Sequence, residues 1–456
     1  MTRSRTTRRV FLRRTLQTGA GLAVGQNRGM AEAASQTKPS SRRRLSPNDK
    51  LNVACIGVGG RGGSNVTDVM SENIVALCDT DQHYSKKTFA KLPKAKTFHD
   101  FRVMFDKMHR QIDAVVVSTT DHMHAPAAMM AMRYGKHVYC EKPLTHDVYE
   151  ARVLTKAALE HKVATQMGNQ GTASSALRQG VEAIRAGVIG PVREVHVWTD
   201  RPQWPQGMAR PKGSNRPPAH LKWDLWLGTA PERPYVRNKY HPFFWRGWWD
   251  FGTGALGDMG CHIANMAFMA LNLTSPTSVS SENSGFDRQS FPTWSIIKYE
   301  FPARGDDPPV TWTWYDGGIH KPVKVLRKLT SLIHGEKLSG NGSILIGEKG
   351  TMYAPYNLGG RWLLLPKEKF EDFKPPAPTL PRSPGHHQEW IAACKGGPPA
   401  MSNFAYSGPL TETILLGNLA TYAGKKILWD APNCRITNCP EADAHVRREY
   451  RKGWTL

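Results

Sequence analysis

The sequence has few cysteines and no long hydrophobic run. Only seven of its 456 residues are cysteine, and none belongs to a CxxC pair or to a Cys/His cluster with zinc spacing. No apolar stretch has the roughly 20 residues that a membrane-spanning helix needs. Internal repeats and nucleic-acid-binding motifs are also absent from the sequence. A polytopic membrane protein is therefore excluded, and neither a zinc site, nor stable membrane insertion, nor a nucleic-acid partner is expected.

Acidic residues are scarce as well, because 38 Asp and Glu stand against 61 Lys and Arg. The formal net charge of +23 would ordinarily suggest an anionic partner such as nucleic acid. Residues 1–50 contain 12 basic and two acidic residues, so they contribute +10, and residues 51–456 contribute the remaining +13. Nearly half of the excess charge thus lies in one short N-terminal segment.

That N-terminal segment has the pattern of a targeting signal. Residues 7–13 (TRRVFLR) precede a weakly apolar stretch at 16–25 and small residues at 31–33, which resembles a twin-arginine export signal. A basic disordered tail is the alternative interpretation. We predict a signal peptide over 1–34, a linker over 35–50, and a periplasmic or otherwise exported protein.

A glycine-rich loop opens the folded part of the chain. The apolar run Leu51–Ile56 is followed by GVGGRG and by a helix-compatible segment. In a strand–loop–helix unit, such glycines permit the tight turn, the approach of a pyrophosphate to backbone N–H groups, and close helix–strand packing. Packing alone is the alternative role. The predicted cofactor-binding residues of this loop are Gly57, Gly59, Gly60, Arg61 and Gly62.

A second apolar run, Ile74–Cys78, ends in Asp79 at the distance expected for a ribose-binding carboxylate. A carboxylate there accepts from the ribose hydroxyls and repels a 2′-phosphate. The sequence therefore favours NAD over NADP as cofactor.

Further strand-like runs follow at βαβ spacing, namely Ala114–Val117, His137–Cys140 and Val163–Thr165. They predict an α/β fold with a parallel, doubly wound sheet over residues 51–170. Ligands bind outside the carboxyl ends of such strands, so the polar residues that follow the runs are candidates for cofactor contact. These residues are Thr119, His122, His124, Glu141 and Lys142.

Lys142 is the strongest catalytic candidate in this half of the chain. Burial and a nearby NAD⁺ would both lower the pKa of a lysine, which suits proton transfer near neutral pH. A solvated lysine on a loop is the alternative.

The second candidate pair is Asp258 and His262, four residues apart after a glycine-rich stretch. On a helix they would share one face, where Asp258 could orient the imidazole and His262 could exchange a proton with a hydroxyl. A helix cap with a core histidine is one alternative. A metal pair is another, but no third and fourth ligands stand out, so no metal is predicted.

The glycine loop, the tripeptide Glu141-Lys142-Pro143 and the segment 257–262 (GDMGCH) together resemble the Gfo/Idh/MocA family of sugar and cyclitol oxidoreductases. The resemblance implies an N-terminal Rossmann domain and a C-terminal α+β domain with a large, mainly antiparallel open sheet. It further implies catalysis by Lys142, Asp258 and His262, and homo-oligomers formed through that sheet. Thr119 and His124 would contact the cofactor, whereas Thr120 replaces the family's usual Pro, which leaves the roles of His122 and His124 open.

Residues 171–456 are predicted to form the substrate and oligomerisation domain. Its strand-like runs are Val192–Trp198, Ile296–Phe301 and Val310–Trp314, and a late helix-like segment covers 408–423. Seven of the 14 tryptophans fall between residues 198 and 249, where they could contact a sugar or simply pack. Cys434 and Cys439 are close enough in sequence for a local disulfide, which spacing alone leaves open.

These features predict an exported NAD-dependent oxidoreductase that acts on a carbohydrate or cyclitol. The alternative resembles glycoside hydrolase family 109, in which NAD is held tightly and the substrate is oxidised only transiently. Export makes free NAD scarce, so either a tightly held cofactor or a substrate that reoxidises it is expected. A sugar-binding protein with an inactive cofactor site is a third class, which the three retained ionisable side chains disfavour.

Overall fold

The computed structural model describes residue 46 and residues 48–355 and 359–456. The predicted signal peptide and the greater part of the predicted linker lie outside the described residues.

A parallel six-stranded sheet forms within residues 51–170, which are called the N-terminal half below, while residues 171–456 are called the C-terminal half. Its strand order is β3-β2-β1-β4-β5-β6. Its strands are β1 (Asn52–Ile56), β2 (Asn73–Cys78), β3 (Lys96–Phe98), β4 (Ala114–Val117), β5 (His137–Cys140) and β6 (Thr165–Met167). The helices of this half are α1 (Arg61–Asp68), α2 (Lys86–Lys91), α3 (Phe101–Met108), α4 (His124–Arg133) and α5 (Val148–Glu160). This order is that of the Rossmann fold, so the predicted doubly wound sheet is confirmed.

The central strands follow from their composition. All four residues of β4 are buried, because helices cover both faces of the sheet and only continuous apolar runs satisfy that environment. The edge strand β3 has a polar sequence and partly exposed residues, which is why no apolar run predicted it. The last strand, β6, begins two residues later than the apolar run at 163.

A nine-stranded sheet dominates the C-terminal half, in the order β13-β12-β11-β7-β10-β9-β8-β14-β15. Its strands are β7 (Val192–Trp198), β8 (Ser278–Asn283), β9 (Ser295–Phe301), β10 (Val310–Tyr315), β11 (Gly342–Gly347), β12 (Thr351–Ala354), β13 (Leu363–Leu365), β14 (Ile427–Asp430) and β15 (Arg435–Ile436). The pair β7 and β10 is parallel and the other pairs are antiparallel. The predicted mainly antiparallel sheet is confirmed, with this one parallel pair in it.

Helices also accompany the second sheet in the C-terminal half. They are α6 (Ser175–Arg185), α7 (Trp223–Leu227), α8 (Gly254–Ile263), α9 (Asn265–Ala270), α10 (Val323–Ser331), α11 (His386–Cys394), α12 (Phe404–Ala423) and α13 (Pro440–Asp443). Single turns of 3₁₀ helix lie at His109–Gln111, Asp121–Met123, Gln170–Ala173, Phe244–Gly247, Gly318–His320 and Lys367–Phe370.

The two halves share their core. Trp390 of α11 is fully buried in one apolar cluster with Val53 and Cys55 of β1 and Val116 of β4. Helix α12 packs along α5. The C-terminal half therefore returns to cover a face of the Rossmann sheet, and this return fixes the position of the cleft between the two sheets.

All seven cysteines are free thiols in the structure, including Cys434 and Cys439. The disulfide that the spacing left open is thus not formed. Within the described ranges, no helix combines the length and apolar character that crossing a bilayer requires.

Candidate functional site

A cavity of about 530 Å³ lies at the carboxyl ends of the parallel strands. One wall comes from the Rossmann loops, with Gly57, Thr119 and Lys142. The other comes from the C-terminal half, with Trp226 of α7 and His262 of α8. Its volume is within the range of small-molecule and cofactor sites.

The glycine loop has the close approaches that its sequence predicts. Gly57 has a φ of +76°, and a Cβ there would lie 2.6 Å from the Ser118 carbonyl oxygen. A Cβ on Gly62 would lie 1.7 Å from the carbonyl oxygen of Gly57, so helix α1 starts against the end of β1. Gly57, Gly59 and Arg61 line the cavity, whereas Gly60 and Gly62 shape the loop without lining it.

Asp79 lies at the end of β2 and lines the same cavity. Its Oδ2 accepts from the N–H groups of Val58 (2.8 Å) and Gly59 (3.0 Å), and its Oδ1 from Asp81 (2.9 Å). Burial raises the pKa of Asp79, although these backbone donors act in the opposite direction. The carboxylate therefore fixes the glycine loop in addition to facing the predicted ribose position, and the loop and carboxylate together fit a dinucleotide.

Glu141, at the end of β5, holds the loop from the other side. Its Oε1 accepts from Arg61 Nε (3.1 Å), Asn65 Nδ2 (2.9 Å) and Gln170 Nε2 (3.0 Å). Burial opposes the change, but the cations Arg61 and Lys142 keep the pKa of Glu141 below its usual value. Glu141 is an ionised anchor that orients Arg61 at the cavity wall.

Lys142 extends into the cleft and binds helix α8. Its Nζ donates to the backbone oxygen of Asp258 (2.7 Å) and to Asp258 Oδ1 (2.8 Å). Both side chains of this ion pair are 14% exposed. The preceding turn contains a cis peptide between Lys142 and Pro143.

A second cation, Arg246, also contacts the Asp258 carboxylate, with Nε 3.3 Å from Oδ1. Its guanidinium lies over the rings of Trp245 (4.4 Å) and Phe243 (4.7 Å), and all three side chains line the cavity. Despite burial, Lys142 and Arg246 hold the pKa of Asp258 well below its usual value. Asp258 is therefore a permanent anion between two cations.

His262 lies one turn after Asp258 on α8 and is 9% exposed at the cavity wall. Its Nδ1 is buried without a hydrogen-bond partner. Burial, and then the Lys142 charge, lower the pKa of His262 to about 3, so the imidazole is neutral at physiological pH. Asp258 and His262 share the predicted helix face, and the Asp258 charge acts to raise the pKa of the imidazole against burial and Lys142. Asp258 Oδ1 itself is held by Lys142 and Arg246, and orientation of the imidazole by Asp258 stays a prediction.

The structure separates the two histidines of the loop after β4. His124 lines the cavity, and its ring nitrogens lie 2.8 Å from the Pro143 oxygen and 3.1 Å from the Thr119 oxygen, so it braces two loops. His122 is fully buried, with ring nitrogens against the carbonyls of Phe251 (3.2 Å) and Trp226 (3.0 Å). It does not line the cavity, so the expected cofactor contact of His122 is wrong.

That error has a physical reason. Asp121–Met123 forms a turn of 3₁₀ helix, which directs His122 toward the C-terminal half rather than toward the sheet edge. Burial lowers the pKa of His122 to about 3, as expected for a neutral interior imidazole.

Most of the clustered tryptophans pack against one another. Trp226, Trp245 and Trp248 belong to one apolar cluster, and Trp223 stacks on Trp226 with ring centroids 4.7 Å apart. Trp226 and Trp245 also reach the cavity wall. The residues that sequence reasoning missed are Tyr84, which covers Gly59 and Gly60, together with His241, Arg246 and Trp454, which also line the cavity. Of these four, only His241 and Arg246 lie in the tryptophan-rich segment 198–249 that the sequence had marked as a possible sugar contact.

Among the described residues, no group of three or more His, Cys, Asp or Glu side chains is arranged to hold a metal ion.

Comparison with known families agrees with this geometry. Residues 51–169 match the model described as "Oxidoreductase family, NAD-binding Rossmann fold", and residues 202–306 match "Oxidoreductase family, C-terminal alpha/beta domain". Both models describe Gfo/Idh/MocA proteins. The chain belongs to the Gfo/Idh/MocA oxidoreductase family. Residues 51–169 form its NAD-binding Rossmann domain, so the predicted cofactor is confirmed.

Curated relatives of this Gfo/Idh/MocA protein match over part of their length. A glycosyl hydrolase family 109 protein from Solibacter usitatus is 35% identical over 150 residues, which are 30% of this chain and 34% of the relative. An alpha-N-acetylgalactosaminidase from Shewanella oneidensis is 30% identical over 40% of this chain and 43% of its own length. A 1,5-anhydro-D-fructose reductase from Ensifer adhaerens is 40% identical over 79 residues, 17% of this chain and 24% of the relative. The chain thus spans less than half of the length of each.

Solved structures share the fold of the Gfo/Idh/MocA chain. The WlbA dehydrogenase from Bordetella pertussis, in complex with NADH and UDP-GlcNAcA, has a TM-score of 0.59 at 16% sequence identity. The match covers 85% of this chain and 99% of the WlbA chain. The aldose-aldose oxidoreductase from Caulobacter crescentus has a TM-score of 0.54 at 17% identity, covering 83% and 100%.

Proposed function

We propose that this protein is an exported NAD-dependent oxidoreductase that oxidises or reduces a hydroxyl-bearing carbon of a carbohydrate or cyclitol. The observation that supports this most is the placement of Lys142 and His262 in one cavity with the glycine loop and Asp79. When bound, the cofactor would accept a hydride as NAD⁺ or donate one as NADH. The protein's own residues must then bind the hydroxyl and handle its proton.

Lys142 is placed to bind the reacting oxygen. An ammonium group has three N–H donors, and Asp258 takes two of them through its backbone oxygen and its Oδ1. The third is free to donate to a substrate oxygen, where the positive charge stabilises the charge that develops as the proton leaves. The ionised Asp258 keeps that ammonium in place.

His262 complements Lys142 as a neutral group. A neutral imidazole offers one acceptor nitrogen and one donor nitrogen, so it can accept from a substrate O–H and pass the proton on. Its low pKa, about 3, means that the ring does not compete with Lys142 as a second buried cation.

The opposite wall is suited to a carbohydrate. Trp226, Trp245 and Phe243 offer aromatic faces for the C–H faces of a sugar ring, and Arg246 offers charged donors among them. A guanidinium in this position favours substrates with an anionic group, which agrees with the net charge of +13 on residues 51–456.

A second candidate function is a glycosidase that uses transient oxidation. The relatives named glycosyl hydrolase family 109 favour it. In that reaction, a ring hydroxyl is oxidised, the aglycone is eliminated from the activated ring, water adds to the resulting double bond, and the oxidation is reversed. The same Lys142, Asp258 and His262 would serve both reactions, so only the product distinguishes them.

One experiment separates the two functions. The purified protein is denatured and the released NAD(H) is quantified, after which native protein is assayed with free sugars plus NAD and with aryl glycosides without NAD. NADH accumulation with a free sugar supports the dehydrogenase. Aglycone release without added NAD overturns it in favour of the glycosidase, and inactivity in both assays across a broad sugar panel would contradict both.

We further propose export through the twin-arginine pathway, supported by the pattern in residues 7–13. A fluorescent reporter fused to residues 1–50 should reach the periplasm of a bacterial host. Replacement of Arg8 and Arg9 by Lys should hold it in the cytoplasm.

We also propose a homo-oligomer formed through the nine-stranded sheet. Partly exposed residues of β8, β9 and β10 line one shallow face of this sheet. Nearby, Val323 and Leu326 of α10 are exposed apolar residues. Light scattering should give a mass of at least twice 50.8 kDa for the full chain, and a monomer would contradict the proposal.

A further inference from the structure

The last described residues run back to the cavity, where Trp454 is one of the wall residues. We name residues 446–456, which follow α13, the C-terminal strap. Its first part is held by both halves of the protein, because Val446 oxygen accepts from Tyr149 N (3.0 Å). Arg448 Nη2 donates to the His122 oxygen (2.8 Å) and to Thr229 Oγ1 (2.9 Å). Arg451 Nε then donates to the Gly228 oxygen (3.0 Å), directly after α7.

The end of the C-terminal strap lies on the Rossmann helices. Arg102 Nη1 of α3 donates to the Gly453 oxygen (3.2 Å), and Arg133 Nη2 of α4 donates to the Leu456 oxygen (2.8 Å). Between these two contacts, the Trp454 ring lies 4.1 Å from the Arg102 guanidinium carbon and 5.9 Å from the Phe101 ring. These six hydrogen bonds, made at five residues of the strap, hold the segment that carries the indole.

Trp454 is a wall residue of the cavity itself. It lines the same space as Asp79, together with His99, Asp100 and Phe101, which follow β3. In a Rossmann site, the carboxylate at the end of β2 marks the adenosine ribose, so the base must lie beside that carboxylate. Trp454 is thus at the adenosine end of the cavity, whereas Lys142 and His262 are at the reacting end.

An indole beside a purine site has a definite chemical use. Aromatic side chains stack on any nucleic-acid base through its π face, and a guanidinium behind the ring strengthens such a site. Trp454 is half-buried, so part of its ring is accessible to a ligand. Its neighbours in the strap, Lys452 and Thr455, are exposed and do not line the cavity.

We propose that the C-terminal strap closes the adenosine end of the cavity and that Trp454 contacts the adenine ring, which slows release of the dinucleotide. The inference rests on the NAD binding assigned above and adds a retention device to it. A retained cofactor is what a redox enzyme needs where free NAD is scarce, and what a transient-oxidation glycosidase needs in every cycle.

The test compares Trp454→Ala with Trp454→Phe and with Lys452→Ala as the matched control in the same strap. NAD(H) retained after desalting is quantified for each protein, and the Kd for NADH is measured by fluorescence anisotropy. We expect Trp454→Ala to raise the Kd about 10- to 100-fold and to lose bound cofactor, as for removal of one base-stacking ring. Trp454→Phe should remain within about threefold of the wild type, and Lys452→Ala should match it.

The two halves of the cofactor provide a second readout that a general loosening would not produce. Competition by ADP-ribose should weaken in Trp454→Ala to the same degree as NADH binding, while binding of nicotinamide mononucleotide should be unchanged. A wild-type Kd in a folded Trp454→Ala protein would overturn the inference, as would equal losses for both fragments. If Trp454→Ala does not fold, the comparison of Trp454→Leu with Trp454→Phe decides in the same way. A wild-type protein that binds no NADH would instead refute the proposed function.

Discussion

At the scale of single residues, Asp258 is the anion that neutralises two cations of the site. Its carboxylate is held by Lys142 and Arg246, and all three side chains are largely withdrawn from water. Removing one partner of a buried ion pair leaves an uncompensated charge, which costs more than the pair contributes. Because Asp258 has two cations, loss of either one still leaves it paired.

This arrangement predicts the behaviour of Lys142→Met. We expect kcat to fall by about 10²- to 10³-fold, as for loss of one donor that stabilises a developing charge, because the substrate oxygen loses its charged donor. The Kd for NADH should change by less than about threefold, and the melting temperature should fall only slightly, since Arg246 still neutralises Asp258. Steady-state kinetics and NADH titration provide the measurements.

Lys156→Met is the matched control, because Lys156 is an exposed lysine on α5. It should leave kcat unchanged. A Lys142→Met enzyme with wild-type kcat would remove Lys142 from the mechanism, and loss of NADH binding would assign it a cofactor role instead.

The sequence brought forward the candidate catalytic side chains but not the residues that contact them. Lys142 follows a buried strand and Asp258 and His262 share a helix face, so local pattern sufficed to bring them forward. Arg246 could not be predicted as the second cation on Asp258, because nothing in its local sequence encodes a contact 12 residues away across a loop. The turn of 3₁₀ helix at Asp121–Met123 gives His122 and His124 different surroundings. Their local sequence does not specify that turn.

At the scale of elements, helix α11 is the structural link between the two halves. Its first residue, His386, places Nε2 2.8 Å from the Met167 oxygen, while Gln166 Nε2 donates to the His386 oxygen (2.7 Å) and lies 3.2 Å from Nδ1. These contacts suit a neutral ring that donates from Nε2 and accepts at Nδ1. Burial lowers the pKa of His386 to about 4.

That low pKa predicts a pH-dependent contribution to stability. Between the unfolded value near 6.5 and the folded value of about 4, the unfolded chain binds a proton at His386 that the folded chain does not. Stability from this group therefore falls as pH falls. The stability advantage of the wild type over His386→Asn should shrink by about 2 kcal/mol between pH 7 and pH 5, as measured by urea unfolding.

His83→Asn is the control, because His83 is exposed at the surface. Its effect on stability should vary by less than about 0.5 kcal/mol over the same pH range. A difference between wild type and His386→Asn that stays constant from pH 7 to pH 5 would show that His386 is not held neutral.

The elements themselves were predictable to different degrees for physical reasons. Strands β1, β4 and β5 are buried on both faces, so their apolar runs are unmistakable, and β7 was predicted with its observed ends. The edge strand β3 has no apolar run. Helix α11 carries no local sign of which sheet it covers, because that choice depends on contacts with residues more than 200 positions earlier.

At the scale of the whole molecule, the two halves are interlocked rather than merely adjacent. Phe404 N donates to Thr165 Oγ1 (3.0 Å), and Lys395 Nζ lies 2.9 Å from Glu72 Oε1. Trp390 is fully buried against β1 and β4. A face of the Rossmann sheet is thus completed by residues 386–404, far beyond the segment that forms its strands.

This interlocking predicts that the described part of the chain unfolds as one cooperative unit. Far-UV circular dichroism, which reports both halves, and NADH binding, which reports the Rossmann site, should be lost at the same urea concentration. Trp390→Ala should lower both midpoints together, because removing a buried tryptophan costs about 3–5 kcal/mol. Trp362→Ala, at a half-buried ring outside the shared cluster, should lower them less.

A fragment of residues 51–170 should fail to fold, since it would expose the apolar face that α11 covers. Two separate transitions, or a soluble fragment that binds NADH, would show instead that the Rossmann half is stable without its C-terminal cover.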